Sequence, residues 1–472
     1  MATGFSKFSV HDFVEIIGDL DTGLNRILIY DRPFFITHLC FRIIDLNFQI
    51  RMTSAKKCIL SLLLILTTIV SLSAQIRGLD LLGKKSFIDI PFKLEQGFII
   101  VTARFNNAVN MDFIFDTGAE NTIIFDREIP ELFGIKYDRR IEVMGSDFNT
   151  GLYANISRNV IFKLEQANFV SRDIVVLEEN ILLLEEKLGI NVDGIIGGSF
   201  FQNLVVQINY PKKYIRLYHP LKIKKSIYKG YTEFDINVRN NKPYIQGLTT
   251  LANGTALDLT FLMDSGASLP FLIHTNTDSL LTLPDLTMTG NLGYGITGIL
   301  KGFIGQVNKF EIGQFTFNNL ITSFQDIAVF SPNQSELARN GIIGSHLLRR
   351  FYIIIDYFHS KAYLRPIRKK KYAKSFDYDR SGMVIFAVGS NLNEFLIKEI
   401  MDNSPAKKSG FLPGDIINRI GRKKTKVMSL ERINQRLQGK AGKKLKIEIE
   451  RNGIKMKKEI ILEDWFVPTK NK

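Results

Sequence analysis

Met111-Asp-Phe-Ile-Phe-Asp116-Thr117-Gly118-Ala119 is matched further along the chain by Leu259-Thr-Phe-Leu-Met-Asp264-Ser265-Gly266-Ala267. Each phrase is an apolar run that ends in Asp-[Thr/Ser]-Gly-Ala. Gly194-Ile195-Ile196-Gly197 follows the first and Gly341-Ile342-Ile343-Gly344 follows the second, at nearly the same separation. A single Asp-Thr-Gly is a common turn. Two of them, each with the same distant sequel, mark an internal duplication. Such a chain is constrained to build two similar halves about a pseudo-twofold axis. A carboxylate at the end of a buried strand, on a turn opened by Gly118 or Gly266, then approaches its twin across that axis.

The pattern over residues 86–366 resembles the aspartic proteases, and Asp-[Thr/Ser]-Gly-Ala is closer to the retropepsin branch than to pepsin. The resemblance implies catalysis by Asp116 and Asp264, with Thr117, Gly118, Ser265 and Gly266 supporting the two loops. Two carboxyl groups held close together cannot both ionise, so they share a proton. One then serves as base towards a water while the other hydrogen-bonds the scissile carbonyl. Where pepsin usually has Ser or Thr after the glycine, this chain has Ala119 and Ala267. One hydrogen bond to the ionised carboxylates is thereby missing, which raises the apparent pKa of the pair. A flap that excludes water is expected at Gly293–Gly298, with Tyr294 and Gly295 at its tip, and a first-half counterpart at Gly145–Gly151.

Strand-like runs surround both motifs. Phe87-Ile-Asp-Ile-Pro91 and Phe98-Ile-Ile-Val101 open the first half, and Phe234-Asp-Ile-Asn-Val238 opens the second. Each half closes on a hairpin, Leu204–Tyr218 and Tyr352–Leu364. The clearest helical stretch is Glu178 to Leu188. The expected fold is mainly β: a two-lobed, acid-protease-like β-barrel pseudo-dimer followed by a small α+β domain. Lobe 1 is placed at 75–220, lobe 2 at 221–366, a linker at 367–380 and the last domain at 381–464.

That last domain resembles the PDZ family in its bacterial, protease-associated form. Ser404-Pro405-Ala406 opens a short helix, and Gly414-Asp415 turns into the next strand. Ser429 suits the N-cap of a second helix carrying Leu430, Ile433 and Leu437 on one face. Asn452-Gly453 is a hairpin turn. The resemblance implies capture of a peptide C-terminus, with the carboxylate-binding loop around Gly382, Met383, Val384 and Ile385. The net charge of +15 concentrates here: residues 367–472 hold 26 Lys and Arg against 12 Asp and Glu. Zinc-finger spacing and regularly interleaved aromatics are absent, so a solvated basic face or attraction to an anionic surface is expected rather than nucleic acid.

The two cysteines, Cys40 and Cys58, both lie upstream of the cleavage site of an export signal. Lys56-Lys57 is a basic n-region, Cys58 to Leu72 an apolar h-region, and Ser73-Ala74-Gln75 a cleavage site after Ala74. Residues 52–74 therefore read as a signal peptide, and 1–51 as a non-native extension from an overextended start. The protein is expected to be exported, periplasmic or extracellular, and to meet the membrane only transiently. The alternative is an anchor at residues 58–74, at the short limit for a span.

Other enzyme classes lack their marks: the sequence has no His-Glu-x-x-His and no Gly-x-Ser-x-Gly. No metal or organic cofactor is implied. The chain is expected to be an exported single-chain aspartic endopeptidase acting on peptides or proteins. The alternative is a non-catalytic peptide-binding protein on the same scaffold.

Overall fold

A computed structural model describes residues 78–466 apart from 145–150, 169, 179–185, 187–188, 296–297 and 328–338. Residues 1–74, expected as an extension and a signal peptide, lie outside the described residues, as does nearly all of the helical stretch expected at Glu178–Leu188. The fold is mainly β. The first half contributes β1 (Phe87–Pro91), β2 (Lys93–Glu95), β3 (Phe98–Phe105), β4 (Val109–Phe115), β5 (Thr122–Ile124), β6 (Arg139–Met144), β7 (Gly151–Leu164), β8 (Val170–Leu177), β9 (Gly194–Ile196), β10 (Val205–Asn209) and β11 (Tyr214–Tyr218). The second contributes β12 (Thr232–Asp235), β13 (Asn237–Arg239), β14 (Lys242–Thr250), β15 (Ala256–Asp264), β16 (Phe271–His274), β17 (Met288–Gly295), β18 (Gly298–Ile312), β19 (Phe315–Gln325), β20 (Gly341–Gly344), β21 (Phe351–Asp356) and β22 (Lys361–Pro366).

The duplication is visible as topology. One sheet runs β2-β3-β4-β9-β5-β8-β7-β6 and the other β13-β14-β15-β20-β16-β19-β18-β17, each with one further pairing, β3 with β7 and β14 with β18. In both, the strand carrying the aspartate lies parallel to the Gly-Ile-Ile strand: Phe113 pairs with Gly194, and Phe261 with Gly341. Those glycines have a steric cause. A Cβ on Gly194 would strike the carbonyl of Ile123, and one on Gly341 that of Leu272, because β5 and β16 cross antiparallel to the same strand.

The two closing hairpins do more than cap their own halves. β10 pairs with β21, Val206 opposite Ile355, so that β1, β11, β10, β21, β22 and β12 form one sheet across the halves. Beneath it lies one continuous core, with Phe105, Phe113, Phe162 and Phe200 from the first half and Phe261, Phe271, Phe310 and Phe351 from the second. Edge-on and tilted ring pairs fill it, such as Phe105 with Phe162 and Phe261 with Phe271. Each such ring contributes about 2–3 kcal/mol of burial.

Residues 367–380, expected as a linker, are held against the second half. Arg350 donates to the carbonyl of Tyr372 at 2.6 Å and lies 3.3 Å over the ring of Phe376. A separate sheet follows, β23 (Met383–Val388), β24 (Glu394–Ile400), β25 (Ile416–Ile420), β26 (Lys423–Lys424), β27 (Lys444–Arg451) and β28 (Ile454–Ile461), ordered β23-β24-β25-β27-β28 with β26 on β25. It has its own core, in which Phe395, Phe411, Ile417 and Ile433 are buried. A short helix, Pro405–Lys408, starts where Ser404 Oγ accepts from Lys407 N at 3.1 Å. A longer one, α1 (Leu430–Leu437), is capped by Ser429, whose Oγ accepts from Arg432 N at 3.3 Å. Leu430, Ile433 and Leu437 all face inward. Asp415, fully buried, is paired with Arg451 at 2.6 and 2.8 Å, an ion pair that fixes the turn into β25.

Candidate active site

Asp116 follows β4 and Asp264 ends β15, each at the point where its sheet meets the other half. The structure brings them together. Each carboxyl group reaches across to the glycine of the opposite loop. A Cβ on Gly118 would run into the Asp264 carboxylate, and one on Gly266 into that of Asp116. Glycine at those two positions is what allows the opposite carboxylate to come so near.

Each loop also holds its own aspartate. Gly118 N and Ala119 N donate to Asp116 Oδ1 at 2.7 and 3.2 Å, and Gly266 N donates to Asp264 Oδ1 at 2.7 Å. Beneath the carboxyls the loops clasp reciprocally. Thr117 Oγ1 donates to Met263 O at 2.7 Å and accepts from Ser265 N at 3.0 Å. Ser265 Oγ donates to Phe115 O at 2.8 Å and accepts from Thr117 N at 3.1 Å. Both hydroxyls are buried, so neither is placed to meet a substrate.

Burial is the main cause that raises both carboxyl pKa values. Asp116 is raised well above the carboxylate range, with the charge of Asp264 as the next cause. Asp264 is raised less, because its bond to Asp116 and the positive charge of Arg339 oppose the effect of burial. Two carboxyl groups so close do not both ionise readily, and their titration belongs to the pair rather than to either residue. Arg339 was not singled out by the sequence reading. It stands just ahead of Gly341, and the equivalent position in the first half is Val192, so its only signal is a break in the repeat.

Ala119 and Ala267 pack against a pair of apolar clusters, one with Ile100, Ile114 and Ile195, the other with Leu262, Leu272 and Ile342. With no hydroxyl at either position, the side chains there add no donor to the backbone N–H groups of the loops. Ala119→Thr combined with Ala267→Thr is expected to move the acidic limb of any pH–rate profile to lower pH. An unchanged or higher limb in a folded variant would contradict this account.

The turn expected as a flap, Gly293–Gly298, connects β17 and β18; Tyr294 and Gly295 end β17, while Ile296 and Thr297 lie outside the described residues. Its counterpart joins β6 to β7, and 145–150 lie outside the described residues as well. Gly382, Met383, Val384 and Ile385 form the entry to β23, far along the chain from the carboxyl pair. Gly189, in the left-handed region at φ 65°, packs against Leu430 of α1 and Ala387 of β23, joining the first half to this last sheet.

The profile of the PDZ domain family matches residues 396–451. The C-terminal sheet is a PDZ domain. A relative from Staphylococcus saprophyticus, described as a probable CtpA-like serine protease, is 36% identical over 88 residues, 18% of this chain and 18% of the relative. The chain thus matches about a fifth of that relative's length. The finding overturns the expectation of an aspartic endopeptidase: the relative is described as a probable serine protease, and the class inferred from the repeated motif is not the class this kinship carries.

A serine does meet a histidine close to the carboxyl pair. Ser268 Oγ lies 3.3 Å from His346 Nε2, but its hydroxyl donates to Gln96 O. Burial, reinforced by the charges of Arg349 and Arg350, pushes His346 down to about 3. An imidazole with so little affinity for a proton is a poor general base near neutral pH.

Proposed function

We propose that the chain is a PDZ-bearing protease in which the Asp116–Asp264 pair is the proton-transfer centre. The observation that carries this reading is the close approach of two carboxyl groups delivered by equivalent loops of two repeated halves. With one proton between them, the pair is able to donate to a peptide group and recover a proton within a single turnover. Thr117, Gly118, Ser265 and Gly266 hold the loops, and the hairpin at Tyr294 and Gly295 closes over the substrate. The reading adopts the two-lobed plan of the acid-protease pseudo-dimer for residues 75–366, followed by a PDZ domain at 381–464. Peptides or proteins are the substrates, and no cofactor or nucleic acid enters the scheme. An extended peptide adds to the PDZ domain as a strand along β23.

A second reading, a serine protease, is favoured by the relative's description and by the Ser268–His346 contact. One experiment separates the two. The purified chain is offered a fluorogenic peptide library and, in parallel, a fluorophosphonate probe for reactive serines. The carboxyl-pair reading expects cleavage that Asp116→Asn removes and Ser268→Ala preserves, without probe labelling. Labelling at Ser268, with cleavage retained in Asp116→Asn, would establish the serine reading instead.

Export belongs to the proposal. Lys56-Lys57, the apolar run from Cys58 and Ser73-Ala74-Gln75 support cleavage after Ala74. N-terminal sequencing of protein from its native cells is expected to begin at Gln75. Recovery in the membrane fraction with residues 58–74 retained would make that run an anchor.

A further inference from the structure

The PDZ domain is anchored to the two halves at both of its ends. Phe376, ahead of it, and Phe466, beyond β28, are buried in the same core as the rings of the halves. Tyr378 and Trp465 pack against that core as well, and the rings of Tyr378 and Phe466 lie 5.0 Å apart. A further contact comes from the first half: a Cβ on Gly189 would lie 3.0 Å from that of Leu430 and 3.3 Å from that of Ala387. A domain held at so many places does not swing freely, and a side chain it presents to the halves keeps its position.

Met401, which follows β24, is such a side chain. Its Cε occupies the place that a Cβ on Gly290 would take. Gly290 lies in β17, the outermost strand of the second-half sheet, paired with β18 alone among the described strands. Its partner across the ladder is Gly302. That rung has no side chains of its own, whereas cross-strand side chains are what stabilise a pair of strands. Immediately beyond it the register shifts between Asn291 and Gly293, and Gly293 sits at φ 141°, a conformation that favours glycine. Tyr294 and Gly295 follow at the tip. The hairpin is therefore weakest where it would bend, and Met401 supplies the missing side chain just below that point. An unbranched thioether suits such a notch because it adapts to irregular space.

We propose that Met401 is a positioning residue of the active-site hairpin: the PDZ domain, fixed to the core of both halves, presses it into the Gly290 notch and holds the base of β17 and β18 ready to close. The inference rests on the reading of that hairpin as the flap over the carboxyl pair and deepens it, giving the PDZ domain a part in substrate binding at the active site. Without the brace, only a fraction of molecules hold the hairpin in its closing-competent form. Apparent affinity for substrate falls by that fraction, while the complex, once closed, is unchanged. The defect therefore belongs in KM and not in kcat.

The test uses the full chain and a fluorogenic peptide that the wild type cleaves, with amide hydrogen exchange over Met288–Gly295 as a readout independent of cleavage. Met401→Ala is expected to raise exchange in that strand, leave it unchanged at Asp116–Ala119, and raise KM about tenfold with kcat within about twofold of wild type. Met401→Leu refills the notch and is expected to stay within about twofold of wild type in KM. Gly290→Val added to Met401→Ala fills the same space from the hairpin side, where a strand accommodates valine, and is expected to recover KM to within about threefold of wild type. Unchanged exchange and KM in Met401→Ala overturn the inference. So does a loss confined to kcat, or a defect that neither Met401→Leu nor the double variant corrects. Cleavage that survives Asp116→Asn makes the carboxyl-pair reading fail instead, and exchange over β17 still decides whether Met401 braces the hairpin.

Discussion

Asp116→Asn is expected to reduce peptide cleavage on the order of 10³-fold while making the fold more stable at neutral pH. The first effect follows from the shared proton: an amide neither accepts nor releases one, and general acid–base catalysis contributes about 10²–10⁴-fold. The second follows from linkage. Burial and the neighbouring Asp264 raise Asp116 above the unfolded carboxylate value of about 3.9. A group shifted in that direction contributes stability that is fully present below the unfolded pKa and is lost as pH rises through the folded one. Asparagine, uncharged throughout, escapes that loss. Melting curves from pH 4 to pH 9 are therefore expected to diverge upward with pH in favour of the variant. Asp264→Asn is expected to lose cleavage to the same extent but to gain less stability, because the charge of Arg339 already offsets part of the cost of ionising Asp264. Turnover above a tenth of wild type in either variant would remove the pair from the chemistry.

Much of this site was legible because a duplication repeats its constraints. Two copies of a strand, a turn and a distant Gly-Ile-Ile-Gly define two equivalent loops, and the steric need for glycine against Ile123 and Leu272 explains why the sequel recurs. The PDZ domain was readable for a similar reason, since caps and turns such as Ser404, Ser429 and Asn452-Gly453 leave local marks. Long-range pairing leaves none. Nothing in the alternation of Val205–Asn209 names Phe351–Asp356 as its partner, so the sheet shared by the halves was not foreseen. Arg339 was missed because it lies outside both motifs. The protease class is the instructive error. A motif reports local geometry, whereas the kinship found covers 18% of the chain and carries a serine protease's description.

The clasp beneath the carboxyls gives the other large effect. Thr117→Val keeps the side-chain shape and removes one hydroxyl that is 2% exposed. Ser265 N then loses its acceptor at 3.0 Å, and Met263 O its donor at 2.7 Å. Both orphans are backbone groups at the centre of the molecule, where water does not replace the lost partner. Each costs about 1–3 kcal/mol, so the variant is expected to lose roughly 2–6 kcal/mol in chemical unfolding. Thr117→Ser retains the hydroxyl and is expected to recover most of that loss. Ser265→Ala removes the reciprocal pair, Thr117 N and Phe115 O, and is expected to cost a similar amount. Because the four bonds form one network between the halves, the double variant Thr117→Val, Ser265→Ala is expected to cost less than the sum of the singles. Strict additivity would mean that the two hydroxyls act independently and that the loops are held by something else. The activity readout distinguishes the clasp from a purely structural bond. Loosening the loops separates the carboxyls, so the proton is no longer shared, and the pH–rate profile is expected to narrow before the protein unfolds.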